Sequence, residues 1–257
     1  MPPPGLSVQE VAVPGPVPRF EIPEWRERYG VVAGVTGRGD GPGRGFDLGL
    51  WTDAPVGEVM TRWAQFRRVE PGFSGVVLGN QVHGIEVMCH PGGTGWIQVE
   101  GIDGHVTAAP GLLLTVTVAD CIPVYLVAPE VPAVALVHSG WRGTAGGILQ
   151  RAVEKLGEVY QAAVDNMVMH CGVGICGACY EVGREVMDGC GIEAVGSGPW
   201  HAELRAILAE QGRGLGLRHI STSHWCSRHD MRHFYSHRGS GGRDGRMVAY
   251  LGLPASA

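Results

Sequence analysis

Three short motifs in the middle of the chain carry histidine and cysteine side chains in similar surroundings. They are Asn80-Gln81-Val82-His83-Gly84, Ala119-Asp120-Cys121-Ile122-Pro123 and His138-Ser139-Gly140-Trp141-Arg142-Gly143. Imidazole and thiolate are ligands that zinc prefers, and three protein ligands leave a fourth position for water or substrate. If the motifs converge, His83, Cys121 and His138 are expected to form an open, catalytic metal site.

Each of these residues also has an ordinary structural interpretation. A single histidine is more often a core or surface residue than a ligand, and a free cysteine usually behaves as a small buried hydrophobic side chain. Asp120, directly before Cys121, argues against a purely apolar environment there. Three candidates in matching contexts therefore favour the metal site.

The motifs lie at the ends of short apolar runs that are bounded by Gly, Pro, Asp or Asn, which is the pattern of β-strands. Strands are predicted at 31–35, 76–78, 85–88, 112–118, 124–127, 134–137, 168–170 and 247–251. Helices are predicted within 51–69, from 147 onward, over 180–187 and over 202–210, where apolar residues recur at helical spacing. The glycine-rich stretch 140–147 is predicted as a turn. This mixture predicts an α/β fold of the mixed α+β kind.

Length and charge limit what the chain binds. The 257 residues contain 25 acidic and 20 basic side chains, a net charge of −5. This balance argues against nucleic acid or an anionic membrane as a partner, and no apolar run reaches the roughly 18 residues of a membrane span. We expect a cytoplasmic protein with a small-molecule substrate. Residues 1–20, rich in Pro and Gly, are predicted as a disordered tail before one catalytic domain over 21–257.

The cysteines do not indicate a disulfide framework, because they are seven in number and scattered along a long chain. Cys176 and Cys179 have Cys-x-x-Cys spacing, but no second pair of that kind completes a structural zinc site. We therefore expect both mainly to pack. His229, His233 and His237 lie among arginines and are expected in a solvated or substrate-facing segment.

The three motifs, with three further segments, resemble the laccase-domain or polyphenol-oxidase-type family. The further segments are Cys179-Tyr180-Glu181-Val182-Gly183, Phe234-Tyr235-Ser236-His237-Arg238 and Gly245-Arg246. Members of this family are also described as purine nucleoside phosphorylases and as peptidoglycan editing factors. The resemblance implies a single-domain layered α/β sandwich of the YfiH/CNF-like cysteine hydrolase type. It also implies metal ligands at His83, Cys121 and His138.

The resemblance implies a zinc-dependent purine nucleoside phosphorylase that uses phosphate and adenosine, inosine, guanosine or methylthioadenosine at one mononuclear site. It leaves adenosine deamination at the same site open. Phosphorolysis requires an anion pocket, and Arg142, in the glycine-rich stretch before a helix, is the first phosphate candidate. The predicted catalytic residues are Cys121, His138, Asp120 and Arg142. The predicted substrate or phosphate contacts are Arg38, Asn80, Arg142, Glu181 and Arg246.

Several alternatives remain open. Copper is possible in place of zinc, and the family name suggests a polyphenol oxidase of the laccase type; however, multicopper sites need close histidine pairs, and the chain has no His-x-His. Cys121 activated by His138 would instead suit a Cys-His hydrolase that edits peptidoglycan precursors. A fourth ligand, such as His105, His237 or Cys226, would indicate a closed, non-catalytic site that binds a partner. The sequence does not fix the oligomeric state.

Overall fold

Two large β-sheets form the framework of the fold, which a computed structural model describes for residues 8–40 and 45–255. The first sheet contains, in spatial order, β1 (Val11–Val13), β2 (Arg19–Glu21), β3 (Val32–Thr36), β15 (Met247–Leu253), β8 (Leu112–Val118), β4 (Gly75–Asn80) and β6 (Gly95–Glu100). The second contains β14 (His219–Thr222), β11 (Val168–Cys171), β9 (Ile122–Ala128), β10 (Ala133–Ser139), β7 (Gly104–Thr107) and β5 (Val87–Cys89). A small separate sheet pairs β12 (Glu181–Val182) with β13 (Trp200–His201).

The helices of the described residues lie outside the two large sheets or in the links between strands. They are α1 (Pro23–Tyr29), α2 (Val56–Arg68), α3 (Trp141–Gly146), α4 (Ile148–Tyr160), α5 (Arg184–Gly189), α6 (Leu204–Gly214) and α7 (His237–Ser240), with short 3-10 turns at Val164–Asn166 and Gly177–Cys179. None of these helices is long and apolar enough to cross a membrane.

Three apolar clusters show how the layers stack. Between the sheets, Leu114 of the first meets Tyr125 and Leu136 of the second. On the other face of the first sheet, the apolar side of α2 packs against Leu113, while α4 and α6 cover the outer face of the second sheet. Successive side chains of a strand point to opposite faces, so the neighbours Leu113 and Leu114 enter different clusters. The layers therefore run helix, sheet, sheet, helix.

The connections between the sheets bring the three motifs to one end of this sandwich. The chain leaves β8 in the first sheet and enters β9 in the second through the link that contains Cys121. Strands β9 and β10 pair in antiparallel fashion, with His138 opposite Pro123. Pro123 is the second residue after Cys121, so this pairing brings His138 close to Cys121. The backbone N–H of His138 also donates to the carbonyl oxygen of Asp103, before β7, at 2.7 Å.

The mixed α/β fold and most of the predicted elements are confirmed, with local differences. The predicted helix 180–187 is wrong at its start, because Glu181–Val182 pairs as a strand and the helix begins only at Arg184, after Gly183. The stretch 140–147, predicted as a turn, is the short helix α3, which ends at Gly147 in the left-handed conformation. Strands β6, β7, β13 and β14 and the short helices α1 and α7 were not predicted.

The amino-terminal segment also differs from the prediction of a disordered tail over 1–20. Residues 1–7 lie outside the described residues, but β1 and the start of β2 lie within the predicted tail and pair in the first sheet. This segment is held by burial as well, since Val17 is fully buried and the buried Glu10 Oε1 lies 3.2 Å from Nε2 of the buried His170. The ordered chain therefore begins well before residue 21.

Candidate metal and active site

The ends of three strands bring His83, Cys121 and His138 together where the two sheets meet. Their donor atoms, one ring nitrogen from each histidine and Sγ of the cysteine, lie within 4.8 Å of one another. The distance from Cys121 Sγ to His83 Nε2 is 3.9 Å. In a tetrahedral zinc site with Zn–S of about 2.3 Å and Zn–N of about 2.1 Å, sulfur and nitrogen ligands lie about 3.5 Å apart. The three side chains therefore fit a metal ion after a small adjustment.

A buried carboxylate, Asp103, orients two of the three candidate ligands. Its Oδ1 accepts from His138 Nδ1 at 2.8 Å and from the His83 backbone N–H at 3.0 Å. Its Oδ2 accepts from the backbone N–H groups of Val82 and Gly84, each at 2.9 Å. Because Nδ1 of His138 is engaged, Nε2 is left as the ligand atom. A carboxylate behind a histidine ligand is a common arrangement in metal sites, where it fixes the ring and its tautomer.

The backbone around the ligands adopts conformations that are rare for residues with a side chain. His83 has φ of 59° and Asp120 has φ of 85°. At His83 the left-handed conformation turns three successive N–H groups toward Asp103, a concave arrangement that binds anions. Asp120 is held by its side chain, which accepts from Ser227 Oγ and from the Arg238 N–H, each at 2.6 Å. Such strain is maintained only where the surroundings enforce it.

The thiol of Cys121 and the imidazole of His138 shift each other's acidity. Burial acts to raise the pKa of Cys121, but the charge of His138 and hydrogen bonds from His138 and His83 lower it to about 6. Burial acts to lower the pKa of His138, but the Cys121 thiolate and the bond to Asp103 raise it to about 9. Without a metal, the pair is therefore thiolate and imidazolium at neutral pH, and the thiolate is the form that binds metals.

In metal-free protein we expect Cys121 to react with iodoacetamide as a thiolate. A pKa of about 6 rather than 9.0 makes the thiolate predominant above pH 6, and the reaction slows as the pH falls below that value. At pH 7 the thiolate fraction is about 90-fold higher than for an unshifted thiol. Peptide mass spectrometry across this pH range measures the rate, with Cys190, whose pKa burial raises, as the internal control. A Cys121 rate that rises only near pH 9 would contradict the pairing.

Gly140 lies against two of the candidate ligands, and its lack of a side chain allows them to approach the backbone closely. A Cβ at this position would lie 2.9 Å from Cys121 Sγ and 3.0 Å from His83 Cδ2. Both distances are shorter than contacts that a real Cβ normally makes. The glycine therefore allows His83 and Cys121 to pack directly against the start of α3.

A cavity of about 500 Å³ opens beside the three ligands. Its wall includes the aromatic side chains of Trp51, Trp141 and Tyr180 and the guanidinium groups of Arg142, Arg238 and Arg246. The guanidinium of Arg142 lies 4.7 Å from the centre of the Trp141 ring, and that of Arg238 lies 5.3 Å from the centre of the Tyr180 ring. The cavity thus joins stacking surfaces with positive charge next to the ligands.

The structure brings some of the other predicted site residues to this cavity and places others outside it. Asn80, Asp120, Arg142 and Arg246 line it, and the Asn80 amide donates to Glu100 at 2.8 Å. Two predicted residues lie elsewhere: Arg38 forms an ion pair with Asp244 at 3.1 Å, and Glu181 lines an adjoining groove.

The donor set is open rather than closed. Among the residues that the structure describes, no fourth His, Cys, Asp or Glu donor joins His83, Cys121 and His138. Of the fourth ligands considered from the sequence, His105 is buried beside His90, with their ring nitrogens 3.1 Å apart. His237 lines the cavity outside the cluster. An open position is what a catalytic site requires.

Two residues of the site were not singled out from the sequence. Asp103 stands in Gly101-Ile102-Asp103-Gly104, where an acidic residue next to glycine reads as a turn. Its position directly before an apolar strand was the only available signal. Arg238 belongs to one of the motif segments, but only the fold brings it, at the start of α7, to the cavity.

The combination of a layered α/β sandwich and an open His-Cys-His cluster beside a cavity is typical of a metal-dependent enzyme. Residues 29–254 match the family described as multi-copper polyphenol oxidoreductase laccase, and the chain belongs to this family.

Relatives and a solved structure agree with this assignment. The chain is 34% identical over 256 residues to a purine nucleoside phosphorylase of Deinococcus radiodurans, with 95% of this chain and 96% of the relative covered. It is also 34% identical over 160 residues to adenosine deaminase RL5 of an unknown prokaryotic organism, covering 58% and 61% of the two chains. The crystal structure of YlmD from Geobacillus stearothermophilus has a TM-score of 0.84 at 26% identity and covers 96% of this chain and 100% of its own.

Proposed function

We propose that this protein is a zinc-dependent purine nucleoside phosphorylase acting on adenosine, inosine, guanosine or methylthioadenosine. The observation that carries the proposal is the cavity in which His83, Cys121 and His138 adjoin aromatic side chains and arginines. The names of relatives such as the Deinococcus radiodurans phosphorylase point to the same substrates, a purine nucleoside and phosphate. We place the activity in the cytoplasm, where unpaired thiols such as those of this chain stay reduced.

The side chains of the cavity suit the two halves of a nucleoside. In phosphorolysis the bond between the base and C1′ of the sugar breaks, and a bond between C1′ and a phosphate oxygen forms. We assign the phosphate to Arg142 and Arg246, whose guanidinium groups supply the charge that phosphate needs. The purine would stack on Trp51 or Tyr180, since flat rings favour such contacts. A zinc ion bound by His83, Cys121 and His138 would act as a Lewis acid toward a substrate atom or water.

Replacement of Arg142 by alanine is expected to raise the KM for phosphate while leaving the KM for the nucleoside nearly unchanged. A hydrogen bond to a charged group contributes about 1.5–3 kcal/mol, which corresponds to about 10- to 100-fold in KM. The assay is release of free base from inosine at varied phosphate concentration. Arg151→Ala, at an exposed position of α4, is the matched control. An unchanged phosphate KM would remove Arg142 from the phosphate site.

Adenosine deamination at the same site is proposed as a further activity, on the strength of the relative named adenosine deaminase RL5. Deamination needs a carboxylate that moves a proton. Both oxygens of Asp120 already accept hydrogen bonds, from Ser227 and from Arg238. We therefore propose a positioning role for Asp120, which holds the link that carries Cys121. Incubation of adenosine without phosphate, followed by separation of inosine from adenine, tests the deaminase activity.

A Cys-His hydrolase is the second candidate, and one observation favours it. The Asp103 carboxylate is hydrogen-bonded to the His138 imidazole, which in turn contacts the Cys121 thiol. The same order is found where a cysteine nucleophile is served by a histidine base and a carboxylate orients that histidine. The two functions differ in what happens to Cys121. A zinc content near one at this site, with activity lost on chelation, favours the phosphorylase; a covalent adduct on Cys121 in active protein treated with peptidoglycan precursors favours the hydrolase.

A laccase-type copper oxidase has less support. The two groups of described His and Cys side chains that could hold a metal contain three histidines between them, fewer than the several close histidine pairs that a multicopper cluster needs. Metal analysis of the purified protein, with oxidation of a simple polyphenol as the assay, separates copper from zinc. Oxidation that depends on added copper would favour the oxidase.

A further inference from the structure

A second group of metal-binding side chains lies outside the site described above. Sγ of Cys176, Cys179 and Cys226 and a ring nitrogen of His229 lie within 4.8 Å of one another. One loop, after β11, supplies Cys-x-x-Cys, and another, after β14, supplies Cys-x-x-His. Two such pairs are the usual ligand arrangement of a structural zinc site. The sequence predicts that Cys176 and Cys179 mainly pack, because it contains no second Cys-x-x-Cys pair. The structure instead places a cysteine and a histidine, Cys226 and His229, beside them.

The distances within this group suit a tetrahedral ion. Cys179 Sγ lies 3.1 Å from His229 Nε2, and Cys176 Sγ lies 3.7 Å from His229 Nδ1. In a tetrahedral zinc site, sulfur and nitrogen ligands lie about 3.5 Å apart and two sulfur ligands about 3.8 Å apart. Only one nitrogen of the His229 ring would bind the ion, and this exposed side chain is free to turn either nitrogen inward.

The backbone is already arranged to receive a charged sulfur. Cys226 Sγ accepts from the N–H of Cys176 at 3.4 Å and from the N–H of His229 at 3.5 Å. Both donors belong to the ligand residues themselves, one in each loop, so the two loops are joined through this sulfur. Hydrogen bonds of this kind orient a ligand and adjust its basicity in metal sites.

We propose that Cys176, Cys179, Cys226 and His229 bind a structural zinc ion. The shell has four protein ligands, which closes it to substrate and distinguishes it from the open site. Binding releases the thiol protons to solvent, so that the ion is held by thiolates and one neutral imidazole. A disulfide would use only two of the three sulfurs and would leave the position of His229 without explanation.

The ion would fasten two loops that form part of the cavity. In the first loop, Ile175 and Tyr180 line the cavity wall. In the second, Ser227 donates to Asp120 next to Cys121. Without the ion, the direct links between the loops include two hydrogen bonds. The backbone N–H of Ser227 donates to the carbonyl oxygen of Gly174 at 3.0 Å, and the Arg228 guanidinium donates to the carbonyl oxygen of Cys179 at 2.9 Å. The second zinc therefore supports the first site without touching its substrate.

The experiment is to count metals in the full-length protein purified under reducing conditions. We expect about two zinc ions per chain in the natural protein and about one in Cys226→Ser, which keeps the open site. His229→Ala should also lose one zinc, and His229→Cys should restore it as a four-cysteine site. Cys89→Ser, which alters a cysteine outside both groups, should keep both ions. Cobalt exchange adds a readout independent of activity, because three thiolates give a stronger charge-transfer band than one.

Three results would overturn the proposal. They are about one zinc per chain in the natural protein that Cys226→Ser still retains, two retained in both Cys226→Ser and His229→Ala, or a disulfide among Cys176, Cys179 and Cys226 in freshly reduced protein. His229→Ala guards against misfolding, because this side chain is exposed and its removal leaves no buried cavity. Loss of nucleoside phosphorolysis with both zinc ions still bound would concern only the function proposed for the open site.

Discussion

Replacing Cys121 with alanine is expected to lower phosphorolysis of inosine by more than about 100-fold, because loss of a residue merely behind a metal ligand already costs about 10- to 100-fold. Cys121 is the sole thiol of the open cluster, and in the proposed site its thiolate would supply the charge that offsets the metal. Its removal leaves two histidines, which bind zinc weakly without a third ligand. The measurement is turnover of protein whose zinc content has been determined for the same preparation.

The matched control for this variant is Cys89→Ala, which removes a half-buried cysteine on β5. We expect this control to retain both zinc and turnover. The Cys121 variant should still contain the ion of the Cys176, Cys179, Cys226 and His229 group. Turnover of the Cys121 variant equal to that of the natural protein would reject the open site as the catalytic centre.

Replacing Asp103 with asparagine is expected to lower zinc affinity by about 10- to 100-fold, although Asp103 does not touch the metal. The carboxylate accepts four hydrogen bonds, three from backbone N–H groups and one from His138. An asparagine presents an NH₂ group where one oxygen stood, so at least one N–H donor faces another donor. Burying such a mismatch should also cost about 3 kcal/mol in the free energy of unfolding.

Competition with a fluorescent chelator measures the zinc affinity of this variant, and urea denaturation measures its stability. Asp165→Asn is the control, because Asp165 lies near the surface and its carboxylate pairs only loosely with Arg218, at 3.5 Å. That control should match the natural protein in both measurements. An Asp103 variant with normal zinc affinity would show that His83 and His138 need no orienting carboxylate.

Much of the sandwich could be predicted because its central strands are continuous apolar runs. Strands such as β8, β9 and β10 are buried on both faces, and their runs of β-branched and other apolar residues favour β-strands. Strand β6 was missed because it lies at the sheet edge, where half-exposed residues interrupt the pattern. Strand β7 was missed because a buried His105 stands in a stretch of only four residues. Helix α3 was missed because glycine, which is frequent there, disfavours helices in isolation.

The site was predictable only in part, for a similar reason. His83, Cys121 and His138 stand at the ends of recognisable strands, so their residue types were informative. Asp103 acts through hydrogen bonds to a neighbouring loop, and its position before the unpredicted strand β7 does not indicate those partners. The second metal group joins Cys-x-x-Cys to a Cys-x-x-His about 50 residues later, and only the fold shows that the two loops meet.

The origin of the three open-site ligands in both large sheets has a thermodynamic consequence. His83 follows a strand of the first sheet, His138 lies on a strand of the second, and Cys121 stands where the chain passes between them. An ion bound there therefore prefers only the state in which the sheets are docked. At a free concentration of about 100 times its dissociation constant, such a ligand stabilises the folded chain by about 2.7 kcal/mol. The concentration of free metal would therefore affect the thermal stability of the protein, separately from its catalytic rate.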